Sequence, residues 1–135
     1  MLKKLLFLSS ALLVATASTA VQAAECVYQC GSDEIQFTPG QAVILEVVNR
    51  TGGRVSLERV LDFNPYGMWP DQVITLDVQV GIGDLSLVFW EAARRPIEVR
   101  LHRPNANRLQ IELLPSGAVN DSAVHIVNDG RVVIY

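Results

Sequence analysis

The chain has 135 residues, half of them hydrophobic, with 11 basic side chains against 14 acidic ones and only two histidines. That length excludes a two-domain enzyme with a separate cofactor domain. The acidic balance argues against nucleic acid and against anionic membrane surfaces, whose phosphates call for basic patches.

Residues 1–23 have the layout of a secretory signal peptide. Lys3 and Lys4 supply the positive start, an apolar run extends from Leu5 to about Ala17, and the small residues Val21 and Ala23 form a cleavage site. The run is shorter than the roughly 18 residues that a membrane-spanning helix needs. Cleavage after Ala23 is expected to leave 112 residues whose nine basic side chains are all arginine, with a net charge near −5. The product is then secreted or periplasmic. Glu25 is unlike the small neutral residues that precede a lipoprotein cysteine, so no lipid anchor is expected at Cys26.

Residues 24–34 form an N-terminal segment holding both cysteines, Cys26 and Cys30. In an oxidising compartment such a pair reads as a disulfide. Closing so short a loop stabilises a docked segment by about 2 kcal/mol. The alternative is a soft-metal or redox site built on Cys26 and Cys30, joined by His102 or His125. The spacing lacks the Cys-x-x-Cys of thioredoxin-like motifs and the histidine of a haem attachment site.

Residues 35–135 are predicted to form one all-β domain, a Greek-key β-sandwich of about seven to nine short antiparallel strands. Strands are expected near 34–37, 42–49, 54–61, 72–80, 85–90, 96–103, 107–114, 123–127 and 131–135. After residue 23 the chain holds 24 Val and Ile against seven Ala, a strand-forming bias. Turn residues interrupt the apolar pattern about every ten positions, as in a sandwich or barrel. Most of these runs are shorter than the about 9–11 residues of a membrane-barrel strand.

The segment Phe37-Thr38-Pro39-Gly40-Gln41-Ala42-Val43-Ile44-Leu45-Glu46-Val47-Val48-Asn49 resembles the early strands of cupredoxin-like domains, where a Pro/Gly turn leads into an alternating strand ending on Asn. Immunoglobulin-like modules show the same pattern. The resemblance implies a Greek-key sandwich but carries over no copper ligand. Asn49 is followed by Arg50-Thr51-Gly52-Gly53-Arg54, without the first histidine, and neither Cys nor Met follows Met68. No metal and no cofactor are therefore expected in the main reading.

The turn Phe63-Asn64-Pro65-Tyr66-Gly67-Met68-Trp69-Pro70 is the most informative loop. Its prolines and glycine fix the backbone, and Tyr66, Met68 and Trp69 are large side chains for a turn. Exposed, they would make a rigid patch for a protein or glycan partner; folded back, they would plug one end of the domain. In the next strand Leu85, Leu87 and Phe89 share one face, so Trp90 points away from them with Ser86 and Val88.

Two hairpins have predictable registers. The strands 97–102 and 108–113 pair with Ile97, Val99 and Leu101 opposite Leu113, Ile111 and Leu109. Glu98, Arg100, His102, Arg108, Gln110 and Glu112 then form an outer stripe, read as solvated, with Arg100 diagonal to Glu112. Asp129-Gly130 is a two-residue turn signal, pairing Ile126 with Val133, His125 with Ile134 and Val124 with Tyr135.

No catalytic motif is present. The serines lie in no Gly-x-Ser-x-Gly elbow, Gly81-Ile82-Gly83 lacks the third glycine of a dinucleotide site, and the two histidines stand singly within strands. Asn49-Arg50-Thr51 and Asn120-Asp121-Ser122 match the glycosylation sequon. The sequence therefore reads as an exported, non-catalytic β-sandwich module for binding or assembly in or beyond the cell envelope. Tyr66, Met68, Trp69 and Trp90 are its candidate contact residues.

Overall fold

A computed structural model of the chain describes residues 34–62 and 64–135. The predicted signal sequence 1–23, the predicted disulfide pair Cys26 and Cys30, and Phe63 of the aromatic turn lie outside the described residues. Among those described, the secondary structure is all-β, with no helix. Nine strands follow in order: β1 Ala42–Asn49, β2 Val55–Arg59, β3 Tyr66–Met68, β4 Val73–Gln79, β5 Leu85–Glu91, β6 Ile97–Asn105, β7 Arg108–Pro115, β8 Ala123–Ile126 and β9 Val132–Ile134. They form two sheets, a four-stranded one ordered β4-β1-β7-β6 and a five-stranded one ordered β3-β2-β5-β8-β9.

Alternation explains which side of each sheet is buried. Val43, Leu45 and Val47 of β1 point inward with Leu109, Ile111 and Leu113 of β7, and they share one core with Val55, Leu57, Leu87, Phe89, Val124 and Ile126 of the other sheet. Glu46 takes the opposite side of β1, where it pairs with Arg108 of β7; β1 and β7 run parallel, which corrects the expectation of antiparallel strands throughout. Fully burying an aliphatic side chain of this kind contributes about 1.5–3 kcal/mol.

The hairpin of β6 and β7 is shifted two residues from the predicted pairing. Val99 lies opposite Leu113 and Leu101 opposite Ile111, so that Arg100 faces Glu112 directly rather than diagonally. An even shift keeps every side chain on its predicted face. The cause is the connection: the turn falls at Ala106-Asn107, later than the predicted pairing requires, and the ladder is irregular between His102 and Asn105. Pro104 has no N–H to give to the ladder, so a bulge accommodates it.

The β8–β9 hairpin slips by one residue, and an odd slip has a different consequence. His125 faces Val133 and Val124 faces Ile134, while Ala123 and Tyr135 exchange backbone hydrogen bonds in both directions. The connection is a three-residue loop in which Gly130 N donates to Val127 O at 2.8 Å, Val127 N donates to Arg131 O at 3.0 Å, and Gly130 adopts φ +91°. Asp129 closes it by accepting from Arg131 N at 3.0 Å and Arg131 Nε at 2.7 Å. The backbone hydrogen bond from Arg131 holds the Asp129 carboxyl below its ordinary range. A bulged glycine corner replaces the tight two-residue turn. Tyr135 thereby moves to the face of His125 rather than that of Val124.

Ahead of β1, Phe37 N donates to Gly130 O at 2.8 Å and Val132 N donates to Ile35 O at 2.9 Å. The predicted strand at 34–37 is thus a single bridge, Gln36 to Arg131, that covers the start of the β9 edge and buries Phe37. The Arg103 guanidinium lies 4.4 Å from the Phe37 ring and donates to Gln36 O and Ala106 O. Burial lowers its pKa from the ordinary arginine value.

A Cβ on Gly130 would overlap the Phe37 carbonyl, and its φ already disfavours any side chain. Gly130→Ala is therefore expected to cost more than about 2 kcal/mol. Gly117→Ala, where a Cβ meets nothing within 4 Å, should stay within about 0.5 kcal/mol of the parent. Urea unfolding midpoints of the two variants check the difference.

Candidate functional site

The site is built outward from Asn49, the last residue of β1. Its side chain is fully buried, so its amide must be satisfied within the protein. Nδ2 donates to Gly53 O at 2.8 Å, Met68 O at 3.1 Å and Trp69 O at 3.2 Å. Oδ1 accepts from Thr51 N at 3.0 Å and Thr51 Oγ1 at 2.7 Å. One side chain of the four-stranded sheet thus fixes both the loop leading into β2 and the chain leaving β3.

The segment after β3 is a tight turn. Trp69 N donates to Gln72 Oε1 at 2.9 Å, and Gln72 N donates to Trp69 O at 3.1 Å. Pro70 supplies the preset φ of the first corner, and Asp71 takes the second at φ +66°, an arrangement of type II. Asp71 is held there by its N–H on Asn49 O at 2.7 Å and by an exposed ion pair with Arg50 at 3.1 Å. Both backbone polar groups of Trp69 are occupied, yet its side chain is 64% exposed.

The structure divides the aromatic turn between core and surface. Met68 is 0% exposed and packs inward opposite Val55, which corrects its assignment as a contact residue: strand alternation sends it to the core. The three residues Tyr66–Met68 form an edge strand, where Gly67 is tolerated. Tyr66, 39% exposed, lies opposite Leu57 and so belongs to the inward-facing row.

Trp69 joins a different set. Arg54 lies with its guanidinium against Gly67, where a Cβ would come within 2.8 Å of Nη2, and over the Trp69 ring at 5.0 Å. Ser56 follows on the same side of β2 and lies opposite both Gly67 and Trp90. Val88, Ala123 and Tyr135 continue the outer face of this sheet. Next to them Ser86 Oγ and His125 Nδ1 are hydrogen-bonded at 2.7 Å, and the His125 ring meets Tyr135 edge-on with centroids 4.6 Å apart. Trp69, Trp90 and Tyr135 therefore occupy one face, with Tyr66 and Met68 excluded from it.

Beside Trp90 lies a shallow cleft of about 190 Å³, lined in part by Arg94, Asn120 and Ser122. One wall is the buried Glu91, which accepts from Ala93 N at 3.0 Å and Arg95 Nε at 2.7 Å. Ser86 and His125 form a cross-strand polar pair, and among the described residues no carboxylate is hydrogen-bonded to His125.

His102 and His125 lie on different sheets. His102 is 4.0 Å from Glu112 on the four-stranded sheet, within the predicted charged stripe. Among the described residues, no group of three or more His, Cys, Asp or Glu side chains is placed to hold a metal ion. Sequence reasoning missed Tyr135 and Arg54. The Gly67 gap beside Arg54 carries no sequence signal, whereas a bulged reading of Asn128-Asp129-Gly130 would have placed Tyr135.

Compared with protein-family models, curated proteins and solved structures, the chain matches none.

Asn49→Asp keeps the shape but removes both amide donors and aims a carboxylate at three carbonyls. It is expected to cost about 3 kcal/mol or more, whereas Arg50→Ala, which breaks only the exposed pair with Asp71, should cost less than about 1 kcal/mol. Chemical denaturation of both variants at neutral pH checks the ranking.

Proposed function

We propose that this chain is an exported, non-catalytic binding module. In this reading it is a Greek-key β-sandwich of cupredoxin-like or immunoglobulin-like type that engages an envelope or extracellular partner through the outer face of its five-stranded sheet. The two sheets with one shared core support the sandwich. Export rests on the signal-like residues 1–23.

The observation that carries the binding reading is the display of Trp69. A tryptophan left 64% exposed forgoes a large burial gain. Here it is also fixed at both backbone polar groups and stacked by Arg54. A side chain held in place before it meets a partner loses little conformational freedom on binding. Trp and Arg are the side chains most enriched among residues that dominate binding energy.

Trp69→Ala is expected to abolish capture of the partner from envelope extracts while changing stability by less than about 1 kcal/mol. Met68→Ala, which empties a core position, should cost about 2–5 kcal/mol. Affinity capture and thermal unfolding of the two variants test this together. A large stability loss in Trp69→Ala, or unchanged capture, would contradict the reading.

A further inference from the structure

We infer that the outer face of the five-stranded sheet binds an extended, uncharged polysaccharide whose sugar rings stack on Trp69, Trp90 and Tyr135. The inference rests on the binding-module reading and names its ligand class.

The Cα positions of the three aromatic residues follow one diagonal of the sheet. Gly67, Ser56 and Trp90 stand in one row across β3, β2 and β5, and Trp69 is two residues beyond Gly67. Val88, Ala123 and Tyr135 form the row two residues further along β5. Trp69 to Trp90 and Trp90 to Tyr135 are therefore the same diagonal step, two strands and two residues, or about 12 Å between Cα positions. Between Trp90 and Tyr135 the neighbouring positions are short, Val88 and Ala123, whereas between Trp69 and Trp90 the Arg54 guanidinium crosses Gly67 beside Ser56 and offers donors to a ligand's hydroxyl groups. A flat ligand can lie along this line and touch each ring in turn.

Spacing and charge select the ligand. Side chains that dominate protein–protein interfaces cluster in a desolvated centre, whereas the register spaces these three residues evenly along one diagonal of the sheet, as suits an elongated polymer of repeating flat units. Two such polymers stack on aromatic rings, single-stranded nucleic acids and polysaccharides. A polyanion needs a run of basic groups. This chain is net acidic, Glu58 sits on the same face opposite Val88, Arg54 lies over Trp69 and Arg95 is paired with Glu91. The face is thus complementary to an uncharged chain, whose ring C–H groups suit the electron-rich ring faces.

Affinity electrophoresis of the exported protein in gels containing soluble mixed-linkage β-glucan, dextran or polygalacturonate tests the inference. The expected result is retardation by the extended β-glucan alone, with an affinity unchanged by high salt. Trp90→Leu and Tyr135→Ala should each weaken it about tenfold or more, and Tyr66→Ala, off the line, should leave it intact. Trp90→Leu keeps apolar bulk without the ring, and its thermal unfolding verifies that the variant is folded. Equal retardation by dextran, retardation by polygalacturonate that salt abolishes, or none at all would overturn the inference. If no glycan binds but Trp69→Ala still loses capture of an envelope protein, the glycan assignment fails and the binding module stands. If capture is also unaffected, both fail.

Discussion

The amide of Asn49 is the constraint on which the rest of the molecule depends. It sits at the end of β1, fully buried, where the chain leaves the four-stranded sheet for the five-stranded one. Its two N–H donors serve the carbonyls of Gly53, Met68 and Trp69, and its oxygen takes the N–H and hydroxyl of Thr51. Only a side-chain amide offers donors and an acceptor together at this reach. A leucine would leave these groups unpaired, an aspartate would repel the carbonyls, and a glutamine would overshoot them. The same burial changes the meaning of Asn49-Arg50-Thr51. Its asparagine nitrogen and threonine hydroxyl are tied inside the fold, so this sequon is a structural knot, whereas Asn120 of the other sequon is exposed.

From that knot the candidate surface follows by short steps. Fixing Met68 O and Trp69 O sets where β3 ends, and the Pro70-Asp71 corner turns the chain back towards β4. Strand alternation then drives Met68 into the core and leaves Trp69 outside, where Arg54 crosses the bare backbone of Gly67 to meet its ring. At the far side of the sheet, the bulged corner at Gly130 sets the pairing of Ala123 with Tyr135 and brings the last aromatic onto the same face.

Much of this architecture is legible in the sequence, because strands are written in alternation and turns in Gly, Pro, Asn and Asp. The two-sided division of Leu87 and Phe89 from Trp90 can be read from periodicity alone. Partner choice across sheets is another matter: nothing local says that β1 runs parallel to β7 or that β2 is flanked by β3 and β5. β3 is hidden because Pro65 and Gly67 are turn residues that an edge strand also tolerates. The two register errors share one origin, loop geometry, but differ in effect. Two residues of slip at Ala106-Asn107 change only neighbours, whereas one residue at Asp129-Gly130 changes the face on which Tyr135 stands.

Because the chain has only two tryptophans, their indole N–H resonances offer the most direct measurement of the central claim, that a preformed aromatic line on the five-stranded sheet is the binding surface. Titrating the isotope-labelled protein with a soluble β-glucan oligosaccharide is expected to shift the Trp69 and Trp90 indole signals and the Tyr135 amide along a common saturation curve. Signals from the charged face around Arg100 and Glu112 should stay fixed. Shifts confined to that second face, or tryptophan signals that never move, would contradict the account.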